Sequence, residues 1–326
     1  MLMRSTQRVI AVIAAWLCGL ALAPDPAIAQ SYPAKPVRLV VPFAPGGSTD
    51  VFARLFTERL ADTWPQPMLI DNRPGAASNL GTEYVARAPA DGYTLLMASP
   101  GFAINPSLYA KAGFDPLKDF APVVFVSLTP LVVVVHPSVP VKSLAQLVQL
   151  ARAQPGKLNF ASAGSSTHLA TELLKSRAGI EMTHVPYKGT APATTDLLGG
   201  HVHLMLDNIR AVLPHVQSGK LRALAVTSLK RASQAPELPT VAELAYPGFQ
   251  AASWFGVVAP AGVPGAVIDK LNRDVNEILA RPEVRSRMTE IGAEPGGGSP
   301  ADFRRFIEEE TAKWSTLIKQ IGLRAH

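Results

Sequence analysis

The chain has 326 residues, one cysteine and a formal net charge of +6 at neutral pH. This length accommodates two domains, and the charge is only mildly basic. Its densest basic positions are pairs such as Lys230-Arg231, whereas nucleic-acid binding requires a basic cluster with interleaved aromatic residues. We therefore expect no nucleic-acid partner, and an anionic small ligand suits the charge better.

The first 29 residues have the pattern of an export signal. Arg4 and Arg8 precede an almost wholly apolar run at 9–23, and small residues follow at Ala27 and Ala29. Proline and aspartate interrupt the run after about 15 residues, whereas a membrane span needs roughly 20. We therefore expect cleavage after Ala29 and a periplasmic location for the mature protein.

The sequence offers no cofactor or metal site. Cys18 lies in the predicted signal, so the mature chain has no disulfide, no thiol nucleophile and no cysteine ligand. His201 and His203 alternate on a predicted strand, but no clear third ligand accompanies them. Neither a GxxxxGK[ST] phosphate loop nor a GxGxxG turn after a strand is present. We assign no metal and no cofactor.

The mature chain opens with a strand, a glycine turn and a helix. Val37–Val41 is apolar and β-branched, and residues 49–63 have helical apolar spacing. Gly46 and Gly47 at the junction permit a close backbone approach, and the first N–H groups of the helix have no internal partner. A carboxylate would fit this turn, although a tight turn with a hydroxyl N-cap explains the same residues.

Strands and helices then alternate along the chain. The pattern predicts strands at 67–70 and 94–98 and helices at 80–87 and 105–109. The apolar run Phe120–Val135 is interrupted by Thr129-Pro130 and predicts two strands with a kink, where the chain crosses between domains. A second α/β series follows, with predicted helices at 143–154, 166–177 and 191–198 and strands at 158–161, 182–185, 201–206 and 221–227.

The last segment predicts a second crossing and two helices. A strand at 251–260 would return the chain to the first domain, and helices are predicted at 267–280 and 300–321, the latter with Ser299 as N-cap. The alternation of predicted strands and helices indicates an α/β fold with mostly parallel sheets flanked by helices. Two lobes joined by two crossings would form a hinge.

Residues 160–174 repeat the strand, turn and helix of the first loop. Gly164 can turn tightly, and hydroxyl side chains surround the first helical N–H groups at Ser162, Ser165, Ser166 and Thr167. Each predicted lobe therefore has one candidate anion site. Two helix N-termini on opposite lobes could clamp a ligand that carries a carboxylate at each end.

Six segments of the chain match a known family pattern: residues 32–50, 72–81, 91–96, 184–208, 219–227 and 254–264. They resemble the substrate-binding proteins of the tripartite tricarboxylate transporter family, also called Bug or TctC-like proteins. The resemblance covers nearly all of the mature chain and implies a two-lobed periplasmic binding protein of type II, a Venus flytrap. Lobe one is expected at 30–128 plus 253–326, and lobe two at 129–252.

The resemblance implies that the loops at 42–50 and 162–168 hold a carboxylate. The chain departs from the family pattern at two positions where the family has glycine, one in the loop at 162–168 and one at 75–78. The family pattern SxGxGSxxH is two residues longer than the loop at 162–168, and the family has GAGG where this chain has Gly75-Ala76-Ala77-Ser78. Both departures leave the identity of the ligand open.

The candidate ligand-binding residues come from the two loops and one strand end. Asp207 and Asn208 end a strand where ligands of parallel sheets collect. Asn208 could donate to a carboxylate. Asp207 would repel a carboxylate but could accept from an ammonium or hydroxyl group of a ligand, or it could satisfy backbone or hinge groups. His168 is interpreted mainly as structural, and Asp50 as a capping residue. The full set is Phe43, Ala44, Pro45, Gly46, Gly47, Ser48, Thr49, Ser162, Ala163, Gly164, Ser165, Ser166, Thr167, His168, Asp207 and Asn208.

The predicted function is capture of a small carboxylate between the lobes and its delivery to the membrane subunits of a tripartite tricarboxylate-type transporter. We expect a monomer without catalytic residues. A ligand-dependent sensor that docks on a membrane signalling partner is the alternative, because lobe closure on a ligand serves both roles. An exported hydrolase is less favoured, since the chain has no GxSxG elbow and no glycosidase-like acidic pair.

Overall fold

The computed structural model describes residues 32–187 and 189–324. The predicted signal at 1–29 lies outside these residues. No helix in the described ranges is long and apolar enough to cross a membrane.

The elements of the first half alternate as expected for an α/β fold. They are β1 (Val37–Val41), α1 (Ser48–Leu60), β2 (Met68–Asn72), a 3-10 turn (Ala76–Ser78), α2 (Asn79–Ala86), β3 (Thr94–Ala98), α3 (Pro100–Leu108) and β4 (Phe120–Val135). Helix α3 begins earlier than predicted, because Pro100 occupies its first turn, where a missing N–H costs nothing.

The second half continues the alternation and returns to the first. Its elements are α4 (Leu144–Ala153), β5 (Asn159–Ser162), α5 (Ser165–Ala178), β6 (Thr183–Pro186), α6 (Thr190–Leu198), β7 (Leu204–Asn208), α7 (Ile209–Gln217), β8 (Arg222–Val226), α8 (Val241–Leu244), β9 (Ala252–Pro260), α9 (Gly265–Ala280), α10 (Pro282–Glu290), β10 (Glu294–Pro295) and α11 (Pro300–Ile321). The sequence did not predict α7, α8 or α10.

The strands form a mixed sheet in the order β2-β1-β3-β9-β4-β7-β5-β6, and β8 and β10 also pair with β4. Strands β2, β1 and β3 are parallel to one another, as are β7, β5 and β6. The two parallel groups lie on either side of β9 and β4, which pair antiparallel with their neighbours. Each group therefore has its own strand-to-helix turns.

The prediction of two strands within Phe120–Val135 was wrong, because β4 is a single strand of 16 residues. What changes near Pro130 is the partner. Up to Pro130 the strand pairs with β9, and from Leu131 it pairs with β7. Proline lacks the N–H that a ladder needs, so one ladder can end there without interrupting the strand.

The cap of the last helix is confirmed. The Ser299 hydroxyl accepts from the N–H of Asp302, and the Asp302 carboxylate accepts from the N–H of Ser299. Ser143 and Gln146 have the same spacing as Ser299 and Asp302 but form only half of this capping box. The Ser143 hydroxyl accepts from the N–H of Gln146, whereas the Gln146 side chain accepts from the N–H of Lys142 at 2.6 Å.

Thr227 connects strand β4 with the segment that runs from β8 to β9. Its side chain is fully buried, and its hydroxyl oxygen accepts from the N–H of Leu131 at 3.1 Å. The same hydroxyl lies within hydrogen-bond distance of the carbonyl oxygens of Leu131 and Ala251. The N–H of Thr227 donates to Leu131, and that of Ala251 donates to Thr227. One residue thus connects β4, the end of β8 and the start of β9.

Replacing Thr227 with valine tests this connection. Valine keeps the shape but removes the hydroxyl, which leaves the buried N–H of Leu131 without that acceptor. We expect the free energy of unfolding, measured by urea denaturation, to fall by about 1–3 kcal/mol. Thr316→Val, at an exposed position, is the control and should change it by less than about 0.5 kcal/mol. Equal stability of the two variants would contradict the proposed role of Thr227.

Candidate functional site

A cavity of about 290 Å³ lies at the carboxyl ends of the parallel strands. Loops that follow β1, β3 and β5 line it together with two residues of β9 and two of the 3-10 turn. Ligands of α/β sheets collect at this edge. The lining residues are Phe43, Thr49, Ala77, Ser78, Ser99, Pro100, Gly101, Ala163, Gly164, Ser165, Ser166, Ser253 and Phe255.

Three helices that follow these loops begin without a side-chain cap. Their N-cap residues are Gly47 for α1, Ser99 for α3 and Gly164 for α5, and none makes a side-chain capping hydrogen bond. The first N–H groups of a helix have no partner inside the helix and lie at the positive end of its dipole. These helix ends can therefore donate to an anion.

Six hydroxyl groups line the cavity, and none has a hydrogen-bond partner among the described residues. Thr49, Ser78, Ser99 and Ser253 are buried, while Ser165 and Ser166 are partly buried. None of these hydroxyls hydrogen-bonds to another residue in the described ranges. None of the six oxygens is among the enclosed unpaired atoms of the described residues, so they open into the cavity, where water or a ligand can pair with them. Among the described residues that line the cavity, none is charged, so the cavity offers neutral hydrogen-bond donors.

The buried carboxylate of Asp50 holds the first loop in shape. It accepts from the N–H of Gly46 at 2.9 Å, from the Arg54 guanidinium at 2.9 and 3.1 Å, and from the Asn72 amide at 3.0 Å. The Asn72 amide also donates to the carbonyl of Phe43 at 3.1 Å. The hydrogen bond from Arg54 is the largest cause that lowers the pKa of Asp50 to about 2. These contacts support the predicted capping role.

Thr167 holds the second loop from within. Its hydroxyl accepts from the N–H of Ala163 at 3.0 Å and donates to the carbonyl of Gly164 at 3.1 Å. The side chain is buried and is not among the lining residues. Its hydroxyl therefore serves the loop, and the neighbouring hydroxyls of Ser165 and Ser166 are the ones left for a ligand.

Two stacked histidines lie behind the second loop. The rings of His168 and His184 are 3.7 Å apart between centroids and nearly parallel. The Ser162 hydroxyl lies 2.7 Å from Nε2 of His184, and burial is the largest cause that lowers the pKa of His184 to about 4. The ring of His168 approaches the Glu172 carboxylate at 3.6 Å. Neither Ser162 nor His168 lines the cavity.

The remaining predicted residues lie outside the lining set. Ala44, Pro45, Gly46 and Gly47 form the exposed part of the first loop, and Ser48 begins α1. Asp207 is fully buried, and its carboxylate accepts from the N–H of Asn208 at 2.7 Å. Burial raises the pKa of Asp207. Ligand contact by these residues stays a prediction.

A third segment of the lining was missed. Ala76, Ala77 and Ser78 all have positive φ angles, at 46°, 52° and 81°, a region that costs about 1–3 kcal/mol for a residue other than glycine. The Asn105 amide holds the segment by donating to the carbonyl of Ala77 at 2.8 Å. The signal was the departure from the family's GAGG. It concerned only a backbone approach that needs glycine at 77 and 78, and it predicted neither the positive φ angles nor that Ser78 faces a cavity.

The turn after β3 and the two residues of β9 were also missed. Ser99-Pro100-Gly101 forms a strand-to-helix turn like the two predicted loops. Because Pro100 was interpreted as part of a turn, the sequence did not predict that α3 begins there. Ser253 and Phe255 lie two residues apart on one strand and therefore share a face. Alternation on a strand predicts which residues share a face, but not which face meets a cavity.

Comparisons with known protein families and with individual relatives indicate the same family. The family described as "Tripartite tricarboxylate transporter family receptor" matches residues 52–323. The chain is 41% identical to BugT of Bordetella pertussis over 97% of this chain and 98% of the relative.

Two similar solved structures are described with a bound small molecule. The chain is similar to Rpa4515 of R. palustris with adipate, at 44% identity and a TM-score of 0.78 over 90% of this chain and 99% of the other. It is similar to MatC of Rhodopseudomonas palustris with bound malate, at 33% identity and a TM-score of 0.73 over 88% of this chain and 100% of the other. The expected two-lobed binding-protein fold is confirmed.

The pKa of Asp50 predicts an acid-dependent stability. Because its folded-state pKa of about 2 lies below the ordinary 3.8, the carboxylate stabilises the fold above about pH 4, and this contribution is lost as the pH falls through about 2. The difference in unfolding free energy between wild type and Asp50→Asn should therefore be larger at pH 7 than at pH 3. Asp62→Asn, an exposed carboxylate, should show little difference at either pH. A difference for Asp50→Asn that does not change with pH would refute the assignment.

The positive φ angles predict an unusual effect of glycine. Ala77→Gly should raise the free energy of unfolding by about 1 kcal/mol, because glycine adopts this conformation without steric cost. Ala312→Gly, in the exposed middle of α11, should lower it by about 1 kcal/mol. Urea denaturation of both variants checks the contrast in sign. Destabilisation by both substitutions would argue against strain at Ala77.

Proposed function

The chain belongs to the tripartite tricarboxylate transporter receptor family, and on that premise we propose that it is an extracytoplasmic binding protein for a small carboxylate. One observation carries the proposal: six hydroxyls without internal partners and three uncapped helix N-termini surround one cavity of about 290 Å³. A carboxylate supplies the acceptors that these donors lack.

The uncharged lining of the cavity favours an anion that is held by neutral hydrogen-bond donors. A carboxylate bound by N–H and hydroxyl groups at helix ends needs no arginine. An ammonium group would need a nearby carboxylate, and no acidic side chain is among the described lining residues. The adipate and malate in the descriptions of the two solved relatives are dicarboxylates, which supports a small dicarboxylate as the ligand class.

Closure of two lobes is part of the proposal. The first lobe, residues 30–128 plus 253–326, would contribute Thr49, Ser78 and Ser99. The second, residues 129–252, would contribute Ser165 and Ser166. The change of partner along β4 near Pro130 supports a boundary there. A ligand with an acceptor at each end would contact both lobes and favour the closed form.

We propose a role in uptake without catalysis. After cleavage behind Ala29, the mature protein would act in the periplasm as a monomer and deliver its ligand to the membrane subunits of the transporter. The pair formed by Ser162 and His184 has the distance of a nucleophile and its base. However, a histidine whose pKa is lowered to about 4 is a weak base, and Ser162 is buried outside the lining set.

A thermal-shift panel tests the ligand class. Mature protein, residues 30–326, would be mixed with succinate, malate, adipate and citrate, and with the matching amides as controls. A ligand at about 100 times its dissociation constant adds about 2.7 kcal/mol, which raises the melting temperature by several degrees. Stabilisation by an acid but not by its amide is expected. A flat response from protein refolded to remove carried-over ligand would refute carboxylate binding.

The double variant Ser165→Ala, Ser166→Ala tests the second loop. Loss of hydrogen bonds to a charged group costs about 1.5–3 kcal/mol each, so the dissociation constant measured by calorimetry should rise at least tenfold. Ser286→Ala, a serine outside the cavity lining, is the control. Unchanged affinity in the double variant would remove these hydroxyls from the site.

A further inference from the structure

Three polar residues of neighbouring strands lie on one face of the sheet, and one of them lines the cavity. Thr129 of β4 lies directly opposite Ser253 of β9, and Leu131 lies opposite Asn208 of β7. Opposed residues of antiparallel strands share a face, and so do residues two apart on one strand. Thr129, Asn208 and Ser253 therefore lie on the same face. Of these three, Ser253 lines the cavity, and Thr129 lies next to it on the neighbouring strand.

These polar groups lack partners in the described part of the chain. The hydroxyl of Thr129 is buried without a hydrogen bond, and so is the side-chain oxygen of Asn208. Thr129 is 5% exposed and Ser253 8%. Buried polar atoms of this kind are rare in folded proteins, and two from neighbouring strands beside a cavity point to a ligand group that completes them.

The side chain of Asn208 is oriented but not used in a cap. Its amide nitrogen lies 3.4 Å from the carboxylate of Asp207, so its oxygen is the free atom. Asn208 is also the N-cap residue of α7, yet its side chain makes no capping hydrogen bond. Asparagine at this position usually accepts from the helix. The oxygen is thus an acceptor that still needs a donor.

The hydrogen-bonding capacity of these three side chains fits a hydroxyl group of a ligand. An ionised carboxylate has no proton to give to the Asn208 oxygen. A hydroxyl can donate to Asn208 and accept from the hydroxyls of Thr129 and Ser253. We infer that Thr129, Asn208 and Ser253 form a subsite for a ligand hydroxyl, so that this chain prefers hydroxy-substituted carboxylates to unsubstituted ones. This inference rests on the proposed carboxylate-binding function.

Matched ligand pairs test the subsite. Calorimetry with malate and succinate, and with citrate and tricarballylate, compares acids that differ only by one hydroxyl. A site with buried groups for a hydroxyl rejects the analogue that lacks it, so we expect about tenfold or more tighter binding of the hydroxy acid in at least one pair. Equal affinity within both pairs, as expected if water satisfies the three groups, would overturn the inference.

Variants separate this subsite from the carboxylate site. Thr129→Val should remove most of the preference by weakening the hydroxy acid while the unsubstituted acid keeps its affinity within about twofold, and Thr129→Ser should restore the preference. Ser165→Ala with Ser166→Ala should weaken both acids together. An equal loss for both acids in Thr129→Val would overturn the subsite. Binding of no carboxylate to the wild type would instead overturn the proposed function itself.

Discussion

The donors at the carboxyl ends of the parallel strands are the constraint on which the site depends. Three helices begin there without side-chain caps, and serine and threonine hydroxyls beside them find no partner in the described residues. These hydroxyls open into the cavity, since none is among the enclosed unpaired atoms of the described residues. Because no described lining residue is charged, the cavity offers neutral donors that water or an acceptor of a ligand can pair with. This arrangement supports the proposal that the cavity is a binding site rather than part of the core.

The residues around the cavity separate into those that hold the loops and those that remain free. Asp50 and Asn72 fix the first loop, and Thr167 fixes the second through its own backbone. Asn105 holds the strained segment that carries Ser78. Such support keeps the free hydroxyls in place before a ligand arrives, which reduces the entropy lost on binding.

Strand β4 lies between the two parallel groups of the sheet, and the Thr227 hydroxyl hydrogen-bonds to it. Strand β4 passes from one set of partners to another without a break, and Thr227 connects it to both neighbouring crossing segments. Thr129 and Asn208 lie at this same junction. A ligand group bound there would contact the place where the halves meet, so ligand recognition and closure would share residues.

Local patterns in the sequence determined the α/β class, strand β1, both glycine turns and the cap of α11, because each depends on residues close together in the chain. Phe43, Thr49, Ala163, Gly164, Ser165 and Ser166 were predicted for this reason and line the cavity. Only the tertiary structure brought Ser78, Ser99 and Ser253 to the same cavity, since their neighbourhood depends on strand order. It also showed β4 to be one strand, because pairing with β9 and β7 outweighs the local signal of a proline.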